Sequence, residues 1–296
     1  MSVLQSKIKG SLYGFAIGDA MGATTEFMEK ESIENKYGKV TDIIGGGWLH
    51  LKAGDVTDDT QMMLCVCEAI EYARDNSWVE DEEITMLDRC CENFVTWYKT
   101  NPPDIGGCCR RVIQNCMNHI DHNYWMNEAN DPNSLGNGSL MRTLPIILSG
   151  QSEDLAISQG RLTHNNETCD WSLLSYFRNM EEVLYNDTFL NSSLKPFSSN
   201  GHVINTLNNS LYYVQHTMSL EDSIIMAVNE GGDADTIAAI TGSLAGALYG
   251  YDAIPQRWID QLSKDVKAYL NKYAKLFEKI NEKVCTNIKQ FGIMYS

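Results

Sequence analysis

Two aspartate-rich segments carry the chemistry in this chain: Thr57-Asp58-Asp59-Thr60 near the front and Gly231-Gly232-Asp233-Ala234-Asp235-Thr236 near the back. Each runs from a glycine-containing turn into an apolar stretch that reads as a helix. If the fold brings them together, Asp58, Asp59, Asp233 and Asp235 place their carboxylates beside the hydroxyls of Thr57 and Thr236. Carboxylates in contact repel, at about 1 kcal/mol for a pair 4 Å apart in water and more inside a protein. Divalent cations offset that repulsion, and hard cations prefer such oxygen ligands.

Taken singly, each segment has a plainer reading. Asp or Thr at a helix start caps the unpaired backbone N–H groups and favours the dipole. One cap needs one acceptor, however, and each segment holds more oxygens than that. An EF-hand loop does not fit, because the alternating acidic ligands, central glycine and distant glutamate are missing. Neither segment contains His or Cys, so magnesium or manganese suits them better than zinc. Two matching arrangements point to a dinuclear, oxygen-ligated site.

Glu26 follows Gly22-Ala23-Thr24-Thr25. Alone it reads as a surface charge; beside a metal pair it is a candidate base for an attacking water. Gly136-Asn137-Gly138-Ser139-Leu140-Met141-Arg142 reads as a flexible turn entering a helix, where free N–H groups suit phosphate. It lacks the Gly-Lys-Ser/Thr ending of a P-loop, and an ordinary Asn-Gly turn explains it equally well. Asp104-Ile105-Gly106 and Thr163-His164 are weaker signals.

The elements that must position these groups are helical. Residues 12–28 form a helical pattern with glycines at 10, 14, 18 and 22; the glycines at 242, 246 and 250 repeat that spacing. Four-residue spacing lines small residues along one face, where another backbone can approach. Further helices are expected over 61–72, 83–99, 110–118, 140–148, 153–159, 167–184, 203–215 and 220–229, with one starting near 237. Residues 256–285 read as one long amphipathic helix with Trp258, Leu262, Val266, Leu270, Tyr273 and Leu276 on one side. A short extended piece is expected at 40–44 and a surface loop at 186–201. The expectation is an all-α fold: a single compact orthogonal helical domain spanning 1–296 around the dinuclear metal site.

The 296 residues are 43% apolar, enough to bury a large core. A formal charge of −16 argues against nucleic acid or anionic membrane as partners, although bound metals can reverse the local sign. The nine cysteines are odd in number and form no Cys-x-x-Cys, which fits a reducing, cytoplasmic setting. The first ten residues show no secretory pattern, and the apolar stretch 237–251 is too short and glycine-rich to span a membrane.

In order along the chain, these segments resemble the ADP-ribosylglycohydrolase family, that is, the dinitrogenase-reductase-activating glycohydrolases and the ADP-ribosyl-acceptor hydrolases. The resemblance begins with Gly14-Phe15-Ala16-Ile17-Gly18-Asp19-Ala20-Met21-Gly22 and Glu26. It continues through Thr57-Asp58-Asp59-Thr60, Asp104-Ile105-Gly106, Gly136-Asn137-Gly138 with Met141-Arg142, Thr163-His164 and the segment 231–236, covering roughly 8–252. It implies an all-α fold around two divalent cations, Mg2+ or Mn2+, held by Thr57, Asp58, Asp59, Asp233, Asp235 and Thr236, with Asp59 also counted as catalytic. It further implies that Glu26 helps to activate water or gate the site, and that Asp104, Gly106, Asn137, Gly138, Ser139 and His164 line an ADP-ribose cleft. The activity implied is metal-dependent cleavage of the glycosidic bond between ADP-ribose and a protein side chain, with an ADP-ribosylated protein or conjugate as partner. A catalytically silent ADP-ribose-binding relative and a metal-dependent nucleotide phosphohydrolase are the alternatives.

Overall fold

Glycine at every fourth position costs each helix about 1 kcal/mol per residue against alanine. The computed structural model shows what offsets that cost. It describes residues 1–76, 82–190, 192 and 195–292, with side chains as far as 282. The glycine-rich helices α1 (Val3–Gly22) and α12 (Ala234–Tyr249) lie antiparallel in backbone contact. A Cβ added at Gly14 would sit 2.1 Å from the Gly242 carbonyl oxygen, and one at Gly18 would sit 2.0 Å from that of Ala238. The ends match in the same way: Gly10 faces Gly246, and Gly22 faces Ala234. Any side chain on this seam would force the two backbones apart.

Around this pair the described residues form α2 (Lys30–Tyr37), α3 (Asp58–Asn76), α4 (Glu82–Tyr98), α5 (Gly107–Cys116), α6 (His122–Glu128), α7 (Leu144–Leu148), α8 (Glu153–Arg161) and α9 (Glu167–Asn186). They continue with α10 (Val203–Gln215), α11 (Leu220–Asn229), α13 (Gln256–Gln261) and α14 (Lys264–Gly292). The fold is all-α, as expected. Extended pairing among the described residues is limited to isolated bridges such as Gly136 with His202. One hydrophobic core runs from Ile8 and Leu12 through Phe94, Trp125 and Tyr176 to Trp258 and Phe277. No helix among the described residues is long and apolar enough to cross a membrane.

Several boundaries differ from the sequence reading, each for a local reason. α1 begins at Val3, where Ser2 and Gln5 form a capping box, and it stops at Gly22 rather than 28. Residues 40–44 form no strand, because the Asn229 side chain pairs with both the N–H and the C=O of Val40 at 2.8 Å each. The expected helix 140–148 is a short 3-10 turn, Leu140–Arg142, followed by α7 with Pro145 in its first turn. The long C-terminal helix is broken at Leu262 and Ser263. There the Gly54 turn packs on the Gln261 carbonyl, and the Ser263 N–H donates to Gly54 O at 3.1 Å. The loop 186–201 is irregular where described; positions 191, 193 and 194 lie outside the described residues.

Candidate metal centre

The seam between α1 and α12 fixes where the acids meet. Antiparallel packing puts the C-terminal end of α1, with Asp19 and the turn carrying Glu26, against the N-terminus of α12, with Asp233 and Asp235. Asp19 then fixes α3. Its fully buried carboxylate accepts the Thr57 N–H at 3.0 Å, the Thr60 N–H at 3.0 Å and the Thr60 hydroxyl. The Thr57 hydroxyl accepts the Asp59 N–H at 3.2 Å. The start of α3 is thus capped from α1 and by Thr57, which leaves the carboxylates of Asp58 and Asp59 free to face the cavity.

The start of α12 follows the same logic. Asp233 stands at the N-cap position but makes no capping bond with its side chain. Its carboxylate instead accepts the Asn137 amide. Gly232, at φ +68°, passes so close to the Ser199 carbonyl that any Cβ would clash, and the Asp233 N–H donates to Ser199 O at 2.8 Å. On the other side Phe27 N–H donates to Gly232 O at 2.6 Å, tying the Glu26 turn to the same backbone.

These segments enclose a cavity of about 240 Å³. Its walls include Glu26, Asp58, Asp59, Asp104, Gly106, Asn137, Gly138, His164, Asp233, Asp235 and Thr236. Of the residues singled out from sequence, only Thr57 and Ser139 stand off the wall. Both are fully buried behind it, Thr57 in contact with Asp59.

Carboxylate oxygens of Glu26, Asp233 and Asp235 lie within 4.8 Å of one another. Asp59 joins this group through Thr236, whose hydroxyl is 3.3 Å from Asp59 Oδ2. Asp59 Oδ1 and Asp235 Oδ1 are buried and have no hydrogen-bond partner among the described residues. A buried, unpartnered carboxylate oxygen is costly, and a bound cation is one of the few groups that satisfies it. The donor set of Asp and Glu oxygens therefore fits hard divalent cations.

The electrostatics agree with this geometry. Burial, followed by repulsion from neighbouring acids, pushes Asp58, Asp59 and Asp235 well above the ordinary carboxylate range. Glu26 is pushed up to about 8, mainly by burial, with Asp104, Asp233 and Asp19 adding repulsion and the Trp48 indole opposing it. Asp233 rises to about 6, through burial partly offset by Asn137. So many raised carboxylates in one cavity mark a functional site better than any single residue does.

The part of the wall formed by Gly136, Asn137, Gly138 and His164 adds no acid. His164, buried beside Arg142 and Arg111, is held down at about 3 and stays neutral; its Nδ1 pairs with the Thr163 hydroxyl at 2.8 Å. Arg142 is fully buried and has no carboxylate partner among the described residues. It donates to Gly138 O, Gln159 O, Gly160 O and Gln159 Oε1, which pins the 136–138 turn. A Cβ at Gly138 would lie 2.9 Å from both Cys109 Sγ and His164 Cε1, so the turn accepts no larger residue. The first turn of α5, at Gly107 to Cys109, opens into the same wall.

Sequence reasoning passed over three contributors. Asp19 entered the sequence reading only as part of the Gly14–Gly22 segment, whereas it anchors α3. Gly201 lines the cavity, and its carbonyl accepts the Asn137 N–H at 3.1 Å. Trp48, following the Gly45–Gly47 turn, donates to Glu26 Oε2 at 2.6 Å. Its distance from Glu26 in sequence leaves no local signal.

A sequence profile described as ADP-ribosylglycohydrolase matches residues 1–177 and 172–285. An ADP-ribosyl-[dinitrogen reductase] glycohydrolase from Rhodospirillum rubrum is 34% identical over 279 residues, covering 87% of this chain and 90% of the relative. An ADP-ribosylarginine hydrolase, Tri1, from Serratia proteamaculans is 32% identical over 292 residues, covering 86% of this chain and 75% of the relative. A solved structure titled ADP-ribosylglycohydrolase-related protein complex superposes with a TM-score of 0.76 at 25% identity, covering 94% of this chain and 99% of that one.

Proposed function

The chain belongs to the ADP-ribosylglycohydrolase family, and from that premise we propose that it hydrolyses the bond between ADP-ribose and an arginine side chain of a modified protein. The whole chain, 1–296, is read as one catalytic unit. Arginine is favoured as acceptor because a relative 32% identical to this chain carries that activity in its name. The observation that carries the reading is the meeting of Asp59 and Asp235, each with an unpartnered buried oxygen, in one cavity with Glu26.

Two divalent cations, Mg2+ or Mn2+, would be held by Asp58, Asp59, Asp233, Asp235, Thr57 and Thr236. When bound, they supply positive charge that neutralises the crowded acids, draws the ribose hydroxyls into place and makes water easier to deprotonate. Glu26 takes the proton from the attacking water, and the Trp48 indole orients its carboxylate. The remaining acids stabilise positive charge on the ribose ring as the bond to the acceptor stretches. At the other wall, the amides of Gly107 to Cys109 and the turn at Asn137 and Gly138 receive the diphosphate. Neutral His164 packs against that turn, and Asp104 and Gly106 lie between the two ends. The cysteine usage of the sequence supports a reducing, cytoplasmic setting.

The experiment is incubation of the protein with an ADP-ribosylarginine peptide and Mg2+ or Mn2+. Free ADP-ribose is expected, and chelator should stop its release. AMP as the product would reveal a phosphohydrolase, and binding without turnover would reveal a silent relative.

A further inference from the structure

Two large aromatic side chains stand exposed beside the cavity, outside the hydrophobic core. Phe27 is 67% exposed and lines the cavity wall; Trp48 is 47% exposed. Their ring centroids lie 5.4 Å apart with the planes tilted at 45°. Phe27 has φ +58°, the left-handed region that non-glycine residues avoid at a cost of about 1–2 kcal/mol. A strained backbone that presents an aromatic ring to solvent is an arrangement the fold maintains against its own stability.

The surrounding backbone builds this arrangement. Gly47 passes so close to the Ala23 carbonyl that a Cβ would lie 2.0 Å from it, and the Thr24 hydroxyl donates to Gly45 O at 3.1 Å. This packing seats the turn carrying Trp48 on the end of α1. The indole N–H then reaches Glu26 Oε2 at 2.6 Å. The aromatic pair therefore borders the carboxylate proposed as base, at the end of the cavity where the scissile bond would lie.

We infer that Phe27 and Trp48 form the recognition face for the acceptor side chain, and that this face selects a guanidinium. The inference rests on the proposed hydrolase reading. A guanidinium is flat, always charged and weakly hydrated, so it gains from an aromatic face on one side and carboxylates on the other. Phe27 and Trp48 supply the first, and Glu26, held against the Trp48 indole, supplies the second. A serine-linked acceptor presents no cation and gains little from either. Adenine also stacks on aromatic rings, but it lies across the diphosphate from the bond being cut, away from Glu26.

The test uses the full chain with its cations and an ADP-ribosylarginine peptide. Phe27→Leu keeps an apolar group on the same backbone but removes the ring. It should raise KM about two- to fivefold with kcat nearly unchanged. Phe27→Tyr should restore the wild-type KM. Trp48→Phe keeps a ring but loses the N–H to Glu26, so its deficit should fall on kcat. Affinity for free ADP-ribose should stay the same in all three, and thermal melts check that each is folded. An unchanged KM in Phe27→Leu overturns the inference, as does an equal loss of ADP-ribose affinity, which would assign the rings to the nucleotide. If the wild-type protein releases no ADP-ribose from the arginine peptide, the hydrolase reading itself falls. If the wild type turns over and Phe27→Leu matches it, only the aromatic face falls.

Discussion

The Thr236 hydroxyl donates to Asp59 Oδ2 across 3.3 Å, joining two residues 177 positions apart in the chain. That contact closes the two acidic segments into one cluster. It depends on α12 lying against α1 and on α3 being anchored to α1 through Asp19. The site is therefore only as well placed as the glycine seam that underlies it.

Removing a carboxylate from the cluster should separate binding from folding. Asp59→Ala and Asp235→Ala are expected to abolish ADP-ribose release and weaken divalent-cation binding, while the helical signature persists. Without cations, both variants should melt higher than wild type, because each loses a buried acid that repels its neighbours. Activity assays, calorimetric Mn2+ titration and circular dichroism melts check these outcomes. Full activity in either variant would sink the ligand assignment.

Glu26→Gln keeps the shape and the Trp48 contact but cannot take a proton. It should lower kcat by about 10²–10⁴-fold, the range for a general base, with cation binding retained. Single-turnover kinetics with a cation titration alongside would distinguish this from a binding defect. A loss confined to cation affinity would make Glu26 a ligand only.

The cation-free protein should become less stable as pH rises. Glu26 and Asp233 sit at about 8 and about 6 in the folded chain, above their unfolded values of 4.5 and 3.8. The folded state therefore holds protons that the unfolded state has released. Their contribution is fully present below the unfolded pKa and is lost as pH climbs through the folded one. Chelated protein should melt highest near the acid end of the window from about 4 to 8 and lower towards 8. Saturating Mn2+ or Mg2+ should flatten or reverse that slope. A cation-independent melting profile would contradict the account of the cluster's charge.

The sequence revealed the architecture wherever spacing carried it. Seven glycines four residues apart foretold the α1–α12 contact, and the acid surplus in 57–60 and 233–236 foretold the cavity. What stayed hidden was set by contacts distant in sequence. Asn229 claims both polar groups of Val40 and prevents a strand. The Gly54 turn breaks the C-terminal helix after Gln261. Asp19, inside an apolar helix, gave no sign that it would cap α3, and nothing at Phe27 announced a left-handed backbone.

The seam makes a stability prediction that needs no cofactor. Gly18→Val would place its Cβ 2.0 Å from the Ala238 carbonyl oxygen, so the helices must separate. A loss of about 3 kcal/mol or more is expected, at or above the usual range for overpacking. Gly107→Ala, with open space around the added methyl and ordinary helical backbone, should be neutral or stabilising by up to about 1 kcal/mol. Urea denaturation of the two variants measures the difference, and equal stability would show that the seam tolerates separation.

The most direct test of the central claim is anomalous X-ray scattering from crystals of the protein loaded with Mn2+. The account predicts peaks within coordination distance of Asp59 Oδ1 and Asp235 Oδ1, the two buried carboxylate oxygens that lack a partner among the described residues. A well-ordered cavity with no anomalous density at either atom, in crystals whose protein still releases ADP-ribose, would contradict it.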